Sequence, residues 1–361
     1  MLSRDSIVDR ARSLGFDLCG IAKAERHPRL ARLADWIAQG RAGTMTYLAE
    51  SMDERLDPKL VLPTARSVIS VGVIYNTADD RPSASATRAT ADKWSEGAKA
   101  IVPDAVTIAR YARGADYHDV VQGRLRALLQ WMADTHGPGL EALSCVDAGP
   151  IQERVFAEAA GLGWIGKNTC VINPQLGSWL FLGEILTNLE LEADVPALDQ
   201  CGTCTRCLEA CPTGAIVQPY ELDATRCLSY LTIEVKGEVE EPLRSAIRHE
   251  VYGCDICQDV CPWNRRAAES ADPAWQARDP LASPSLIELC RMTDQAWRRV
   301  LKGSAMRRAG LRGIRRSLAY AASHLPPASR SEALTALRTH ESAAFSEVDA
   351  AVTWADRGEG S

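Results

Sequence analysis

The chain has 361 residues, 46% hydrophobic and 24% charged, with a net charge of -6. That length exceeds one simple core and suits two or three domains of an ordinary soluble protein. The longest uncharged run, 169–183, is broken by Asn, Pro, Gln and Gly, so no membrane span is expected; the overall acidity argues against nucleic acid unless a local patch overrides it.

In chain order, MLSRDSIVDRARSLGF reads as an amphipathic helix, with Ile7, Val8, Ala11 and Leu14 at helical spacing and Gly15 to end it. It carries neither an apolar signal core nor a twin arginine, so the expected location is the cytoplasm. SVISVGVIYN (67–76) is a β-branched run and predicts a buried strand, while 79–99, polar and rich in Ala, Ser and Thr, reads as a surface insertion. A helix is expected over 119–136, with Val120, Leu125, Leu128, Leu129 and Met132 on its apolar side and Gly137-Pro138 as its stop. EALSCVDAG predicts another strand, 151–160 a helix, and WLFLGEILTNLEL a return to strand, so mixed α and β elements fill residues 1–195.

Three local patterns in this half invite a functional reading. Gly161, Gly163 and Gly166 satisfy G-x-G-x-x-G, but a helix precedes them and Pro174 follows, the reverse of a dinucleotide site. They either build a turn or let backbone pass close to a flat ligand, with Lys167 and Asn168 placed for its polar groups. DYHDVVQG approaches the D-x-H-x-x-G of histidine-ligated corrinoid proteins, yet Val121 stands where glycine should, so His118 reads as a hydrogen-bonded structural residue. Asp147 ends a strand-like stretch: partial burial would raise its pKa toward use as an acid, but by itself the sequence favours a turn or cap before Ile151.

Twelve cysteines without an export signal point to metal ligation over disulfides. CGTCTRCLEACP holds Cys201, Cys204, Cys207 and Cys211 in the full C-x2-C-x2-C-x3-C-P run, whose fourth cysteine serves the other cluster in two-cluster ferredoxins. GCDICQDVCPW supplies only Cys254, Cys257 and Cys261, lacking a first cysteine, and Cys227 is the one cysteine between the runs. Crossing the fourth ligands assigns Cys201, Cys204, Cys207 and Cys261 to one 4Fe–4S cluster, and Cys211, Cys227, Cys254 and Cys257 to a second, in a ferredoxin module split by about 25 residues. Zinc fits poorly, because 49 residues separate Cys204 from Cys254 and both Cys-Pro endings would lack a purpose. Cys19, Cys145, Cys170 and Cys290 sit singly in apolar surroundings and read as buried small hydrophobes.

The stretch from Pro273 to Pro284 reads as a linker. Between Arg291 and Arg316, nine basic residues face one acid, Asp294, a concentration that points to nucleic-acid phosphates more than to a solvated helix face. Leu311, Ile314, Leu318 and Leu325 continue an apolar helical face, followed by paired helices of solenoid type.

With these residues in hand, the chain resembles the epoxyqueuosine reductases, which act last in making tRNA queuosine. The resemblance rests on GTMTYL, RYARGADYH, VDAGPIQERVFAEAAGLGWIGKNT, both cluster motifs with DATRCLSYLTIE between them, and GSAMRRAGLRGIRRSLA. It implies an α+β protein: a nitroreductase-like corrinoid-binding domain (1–195), a two-cluster ferredoxin-like module (196–270) and a C-terminal helical-repeat, HEAT-like segment that binds tRNA (271–361). It further implies cobalamin as cofactor beside the two clusters, and Asp147 as proton donor to the epoxide. Arg55, Arg110, Lys167, Asn168, Thr169, Ser229 and Tyr230 would contact the corrin, and Arg307, Arg308, Arg312, Arg315 and Arg316 the RNA. The partners would be an anticodon stem-loop carrying epoxyqueuosine and a low-potential donor of flavodoxin or ferredoxin type, the enzyme acting as a monomer. An iron–sulfur electron-transfer subunit would leave the arginine segment idle, and a reductive dehalogenase usually carries the twin-arginine signal absent here.

Overall fold

The computed structural model describes residues 2–77, 104–282 and 284–358, so the expected insertion at 79–99 lies outside the described residues. A helix α1, Arg4–Ser13, opens the chain; the Ser3 and Ser6 side chains cap it reciprocally, and Ile7, Val8 and Ala11 are buried. Four strands form the main sheet: β1 (Leu18–Lys23), β2 (Ser67–Ile74), β3 (Ala142–Cys145) and β4 (Leu180–Thr187), ordered β1-β2-β4-β3 with every pair antiparallel. Every residue of β2 is buried because helices cover both faces of the sheet.

The faces are sorted by the two-residue strand period. Ile69, Val71, Val73, Phe181 and Ile185 pack against α1 and against α2 (Tyr117–His136), which contributes Val121, Leu125, Leu128 and Met132. Val68 and Leu186 face the other way, toward α3 (Glu153–Ala159) and its Val155, Phe156 and Ala157. Gly183 in β4 admits α2 closely: a Cβ there would stand 2.9 Å from Leu125 Cδ1. The strands and helices expected in this half are therefore present, with α2 beginning two residues earlier, where the Asp116 side chain accepts the His118 N–H as an N-cap.

A second core joins α4 (Leu228–Ile233) to the C-terminal helices α5 (Leu286–Arg291), α6 (Asp294–Leu301), α7 (Gly310–Ala322), α8 (Pro327–Arg338) and α9 (Ser346–Asp356). Helix α7 packs on α8 and α9, and α5 on α8. The expected linker is anchored instead of extended: Trp275 is buried against Phe181, 4.8 Å between ring centroids, and Leu281 is fully buried. Its prolines shape turns, and a large aromatic placed among them drives the segment onto the core.

The basic segment needs a correction. Arg315 and Arg316 are 0% exposed, on the inward side of α7, and cannot meet phosphates there. Arg315 donates to the Cys290 and Met292 carbonyls and pairs with Asp294 at 2.8 Å. Arg316 donates to the carbonyls of Leu231 (2.7 Å), Val235 (2.7 Å) and Gly237. A guanidinium presents five donors in a rigid fork, so a cluster of helix and loop carbonyls can hold it in the interior. Arg307, Arg308 and Arg312 remain at the surface, with Arg308 paired to Glu234 at 2.7 Å and Arg312 lying over the Phe345 ring.

Candidate functional site

Asp147 lies just beyond the end of β3, in the turn to α3, with φ of +55° and a side chain 60% exposed. Three groups hold it. The Tyr117 hydroxyl donates to its Oδ2 at 2.8 Å, His118 Nε2 lies 3.2 Å from the same oxygen, and its own N–H donates to Glu153 Oε1. Tyr117 is fixed in turn by stacking on Phe181, 4.6 Å between centroids. Desolvation pushes the Asp147 pKa up, but the His118 and Tyr117 bonds and the charges of His118 and Arg154 outweigh it, and the carboxylate sits below its ordinary range. The expected upward shift is thus reversed, because the side chain gained a cationic partner.

That partner is His118, whose Nδ1 also lies 2.7 Å from Asp116 Oδ1. The bond to Asp147 raises its pKa, burial lowers it, the bond to Asp116 raises it again, and the outcome is about 9. Two further acids escaped the sequence reading. Glu184 is 0% exposed in β4, facing α3, and its carboxyl meets that of Glu153. Burial drives Glu153 up to about 7 and Glu184 well above its usual value. A glutamate inside the apolar run LFLGEILT was the available signal.

The glycine-rich turn serves the fold. Added Cβ atoms would meet protein: the Val195 carbonyl at 2.7 Å from Gly161, the Ile172 carbonyl at 2.4 Å from Gly163, and Ile172 Cδ1 at 2.4 Å from Gly166. The residues after it reach both cysteine loops. Lys167 Nζ donates to the carbonyls of Gly202 (2.6 Å) and Cys204 (2.9 Å), and Asn168 Nδ2 to that of Cys257 (3.3 Å).

Beside them a cavity is lined by Cys201, Cys204, Cys207 and Cys261, closed by Trp263 and Lys167. Burial raises the pKa of Cys207, and the neighbouring thiols of Cys261, Cys201 and Cys204 raise it further. In the second loop set, burial raises the Cys227 and Cys254 thiols, and contact with Cys170, then burial, raises that of Cys257; Cys211 adds to the shift of Cys227, and Cys227 to those of Cys254 and Cys257. Among the described residues, no three His, Cys, Asp or Glu side chains converge on a single metal ion; the first set lines the rim of a cavity. Cys170, expected as an isolated hydrophobe, has its thiol against that of Cys257.

The expected corrin contacts divide. Arg110 pairs with Asp259 at 3.1 Å, donates to Asn76 at 2.6 Å and lies over Trp179, so its guanidinium is engaged by protein. The Tyr230 hydroxyl accepts the Thr44 N–H at 2.8 Å. Lys167 and Asn168 belong to the cysteine loops, as described. Arg55, Thr169 and Ser229 stay partly exposed, Thr169 at φ +66° with its carbonyl accepting from Arg154.

Paired cysteine loops, tied by Lys167 and Asn168 to an α/β half that carries an exposed acid, are the parts of an iron–sulfur oxidoreductase. Residues 200–264 match the family described as a 4Fe-4S double cluster binding domain, and residues 55–148 match Epoxyqueuosine reductase QueG, DUF1730. An epoxyqueuosine reductase of Gloeobacter violaceus is 44% identical over 86% of this chain and 93% of its own length. One from Pseudomonas aeruginosa is 39% identical over 98% of this chain and 94% of its own. The solved epoxyqueuosine reductase of Streptococcus thermophilus superposes with a TM-score of 0.79 at 27% identity, covering 98% of both chains. A crystal structure of epoxyqueuosine reductase with an epoxyqueuosine-modified tRNA-Tyr stem loop gives the same score and identity over 99% of this chain and 98% of that one. The chain belongs to the epoxyqueuosine reductase family. It is an oxidoreductase of queuosine biosynthesis. No helix among the described residues is long and apolar enough to cross a membrane.

Proposed function

We propose that residues 1–195 form the catalytic unit, 196–270 a module holding two 4Fe–4S clusters, and 271–361 a helical segment bearing part of the tRNA surface. Epoxyqueuosine at the tRNA wobble position is the substrate, consistent with the relative solved with its modified stem loop. The reaction consumes two electrons and two protons, converting the epoxide to an alkene and water. Cys201, Cys204, Cys207 and Cys261 would hold one cluster around the cavity they line, and Cys211, Cys227, Cys254 and Cys257 the other. Lys167 and Asn168 fasten the catalytic half to both loops, which keeps the electron path short.

Bound cobalamin supplies the low-valent, strongly nucleophilic metal that the family's chemistry uses. Arg55, Thr169 and Ser229 are the partly exposed residues that would meet it. The protein's own part is proton handling: Asp147 delivers a proton to the epoxide oxygen as the ring opens, where negative charge develops. The target base has to leave its loop to reach this cleft, as bases do for enzymes that modify them. Arg307, Arg308 and Arg312, exposed at the surface, would hold phosphates there, and a flavodoxin- or ferredoxin-type donor would deliver electrons to the monomer.

The exposed carboxylate of Asp147, held by Tyr117 and His118, is the observation that carries this reading. Its test is single turnover of an epoxyqueuosine stem-loop by anaerobically reconstituted protein. Asp147→Asn should keep clusters and cobalamin while losing about 10²- to 10⁴-fold in rate; an unchanged rate refutes the assignment.

A further inference from the structure

An acid whose pKa is held below the ordinary carboxylate range carries no proton at neutral pH, yet the reaction takes up two. The contacts of the neighbouring His118 give that proton a place to rest. Each ring nitrogen of His118 faces a carboxylate oxygen, Nδ1 at 2.7 Å from Asp116 and Nε2 at 3.2 Å from Asp147. Only the doubly protonated imidazolium donates to both. Asp116 is buried and fixed by its N-cap bond to the His118 N–H, whereas the His118 side chain is 40% exposed and open to solvent.

We infer that His118 is a catalytic proton carrier, loading Asp147 for each of the two protonations and being recharged from solvent; this rests on the reading of Asp147 given above. In each round the Nε2–H bond of His118 breaks and an O–H bond forms at Asp147 Oδ2. The carboxyl then passes that proton to the substrate oxygen, first to the opening epoxide and then to the hydroxyl that leaves as water. Solvent restores Nε2–H after each transfer, while Asp116 keeps Nδ1–H throughout. Two protons cross the chain, the two electrons come from the low-potential donor by way of the bound cofactors, and the oxygen leaves as water.

Uphill loading of Asp147 is tolerated because the final acceptor, an alkoxide-like oxygen, is far more basic than either residue. Other charged or titratable groups around the pair are Tyr117 on the same helix, Glu153 and Arg154 from α3, and Tyr47 and Arg308 across the opening. Tyr117 and Tyr47 are both pushed above the ordinary tyrosine value, so neither ionises before His118 does.

His118→Gln separates proton transfer from hydrogen bonding, since an amide donates to Asp147 but delivers no proton. Single-turnover rates on an epoxyqueuosine stem-loop should fall about 10²- to 10⁴-fold, with stem-loop affinity and cluster absorbance unchanged. The wild-type rate should decline above about pH 9, the value set for His118 by Asp147 and Asp116, and that limb should vanish in His118→Gln. Asp116→Asn, which puts a neutral amide in place of the carboxylate that faces Nδ1, should move the limb to lower pH. Added imidazole should restore His118→Ala in proportion to its concentration. If wild-type protein turns over while His118→Gln keeps its rate and its alkaline limb, the inference is overturned. If His118→Gln loses its clusters, an unshifted limb in Asp116→Asn overturns it equally. Wild-type protein that fails to turn over would instead defeat the underlying reading of the site.

Discussion

Glu153 and Glu184 meet carboxyl to carboxyl beneath the Asp147 turn, Glu184 fully buried in β4 and Glu153 half-buried at the start of α3. Neither oxygen of Glu184 finds an N–H or O–H donor of ordinary geometry among the described residues, so the contact is stable only with a proton between the two acids. Glu153 in turn accepts the Asp147 N–H, linking this proton to the conformation of the Asp147 turn.

Stability should therefore depend on pH through these two acids. Each has a folded pKa raised above 4.5, so its contribution is complete below 4.5 and is lost as pH rises through the folded value. For Glu153 that window closes at about 7, and for Glu184 it extends further. Thermal melts from pH 5 to 9 should show Tm falling less steeply above pH 7 in Glu184→Gln than in wild type, the remaining fall coming from His118, whose folded pKa is raised to about 9. Parallel curves would show that Glu184 is not protonated in the fold.

Cys227 lies outside either contiguous motif, and Cys227→Ala tests whether it completes the second set. After anaerobic reconstitution, iron should drop from roughly eight to roughly four per chain. Retention of the full complement would return Cys227 to a structural role and raise Cys170, in contact with Cys257, as the alternative thiol.

The arginine-rich segment should separate into two groups by experiment. Arg315→Met leaves Asp294 buried without its cation and should cost roughly 3–5 kcal/mol in denaturant unfolding, with little change in RNA affinity once folded. Arg307→Gln, Arg308→Gln and Arg312→Gln together should leave stability nearly intact, weaken stem-loop binding, and make the slope of log K against log salt shallower by about 2. An unchanged slope would remove these arginines from the RNA surface.

Gly163→Ala places a Cβ 2.4 Å from the Ile172 carbonyl, a backbone atom that cannot rotate away. The cost should be about 3 kcal/mol, read as a fall in denaturation midpoint. A neutral substitution would imply that the turn is looser than the packing of Trp164 against Trp263, 5.0 Å apart, indicates.

Much of this protein was legible from residue order. Strand β2 and helices α1 and α2 follow from hydrophobic period, because burial on one face repeats every two or 3.6 residues. The cysteine spacings and the family resemblance likewise use short stretches that carry their geometry with them. Side-chain partners could not be read that way, since they come from elements distant in sequence. Arg315 and Arg316 looked like phosphate ligands until α7 turned them toward carbonyls of α4, its following loop and the α5 end. Lys167 found the Cys204 loop, His118 found Asp147, and Glu184 found Glu153 only when the chain closed on itself. Sequence determined which chemistry the chain carries; tertiary packing decided which charges are sealed inside, which meet one another, and where a proton can rest, because those depend on local dielectric and on neighbours that no spacing encodes.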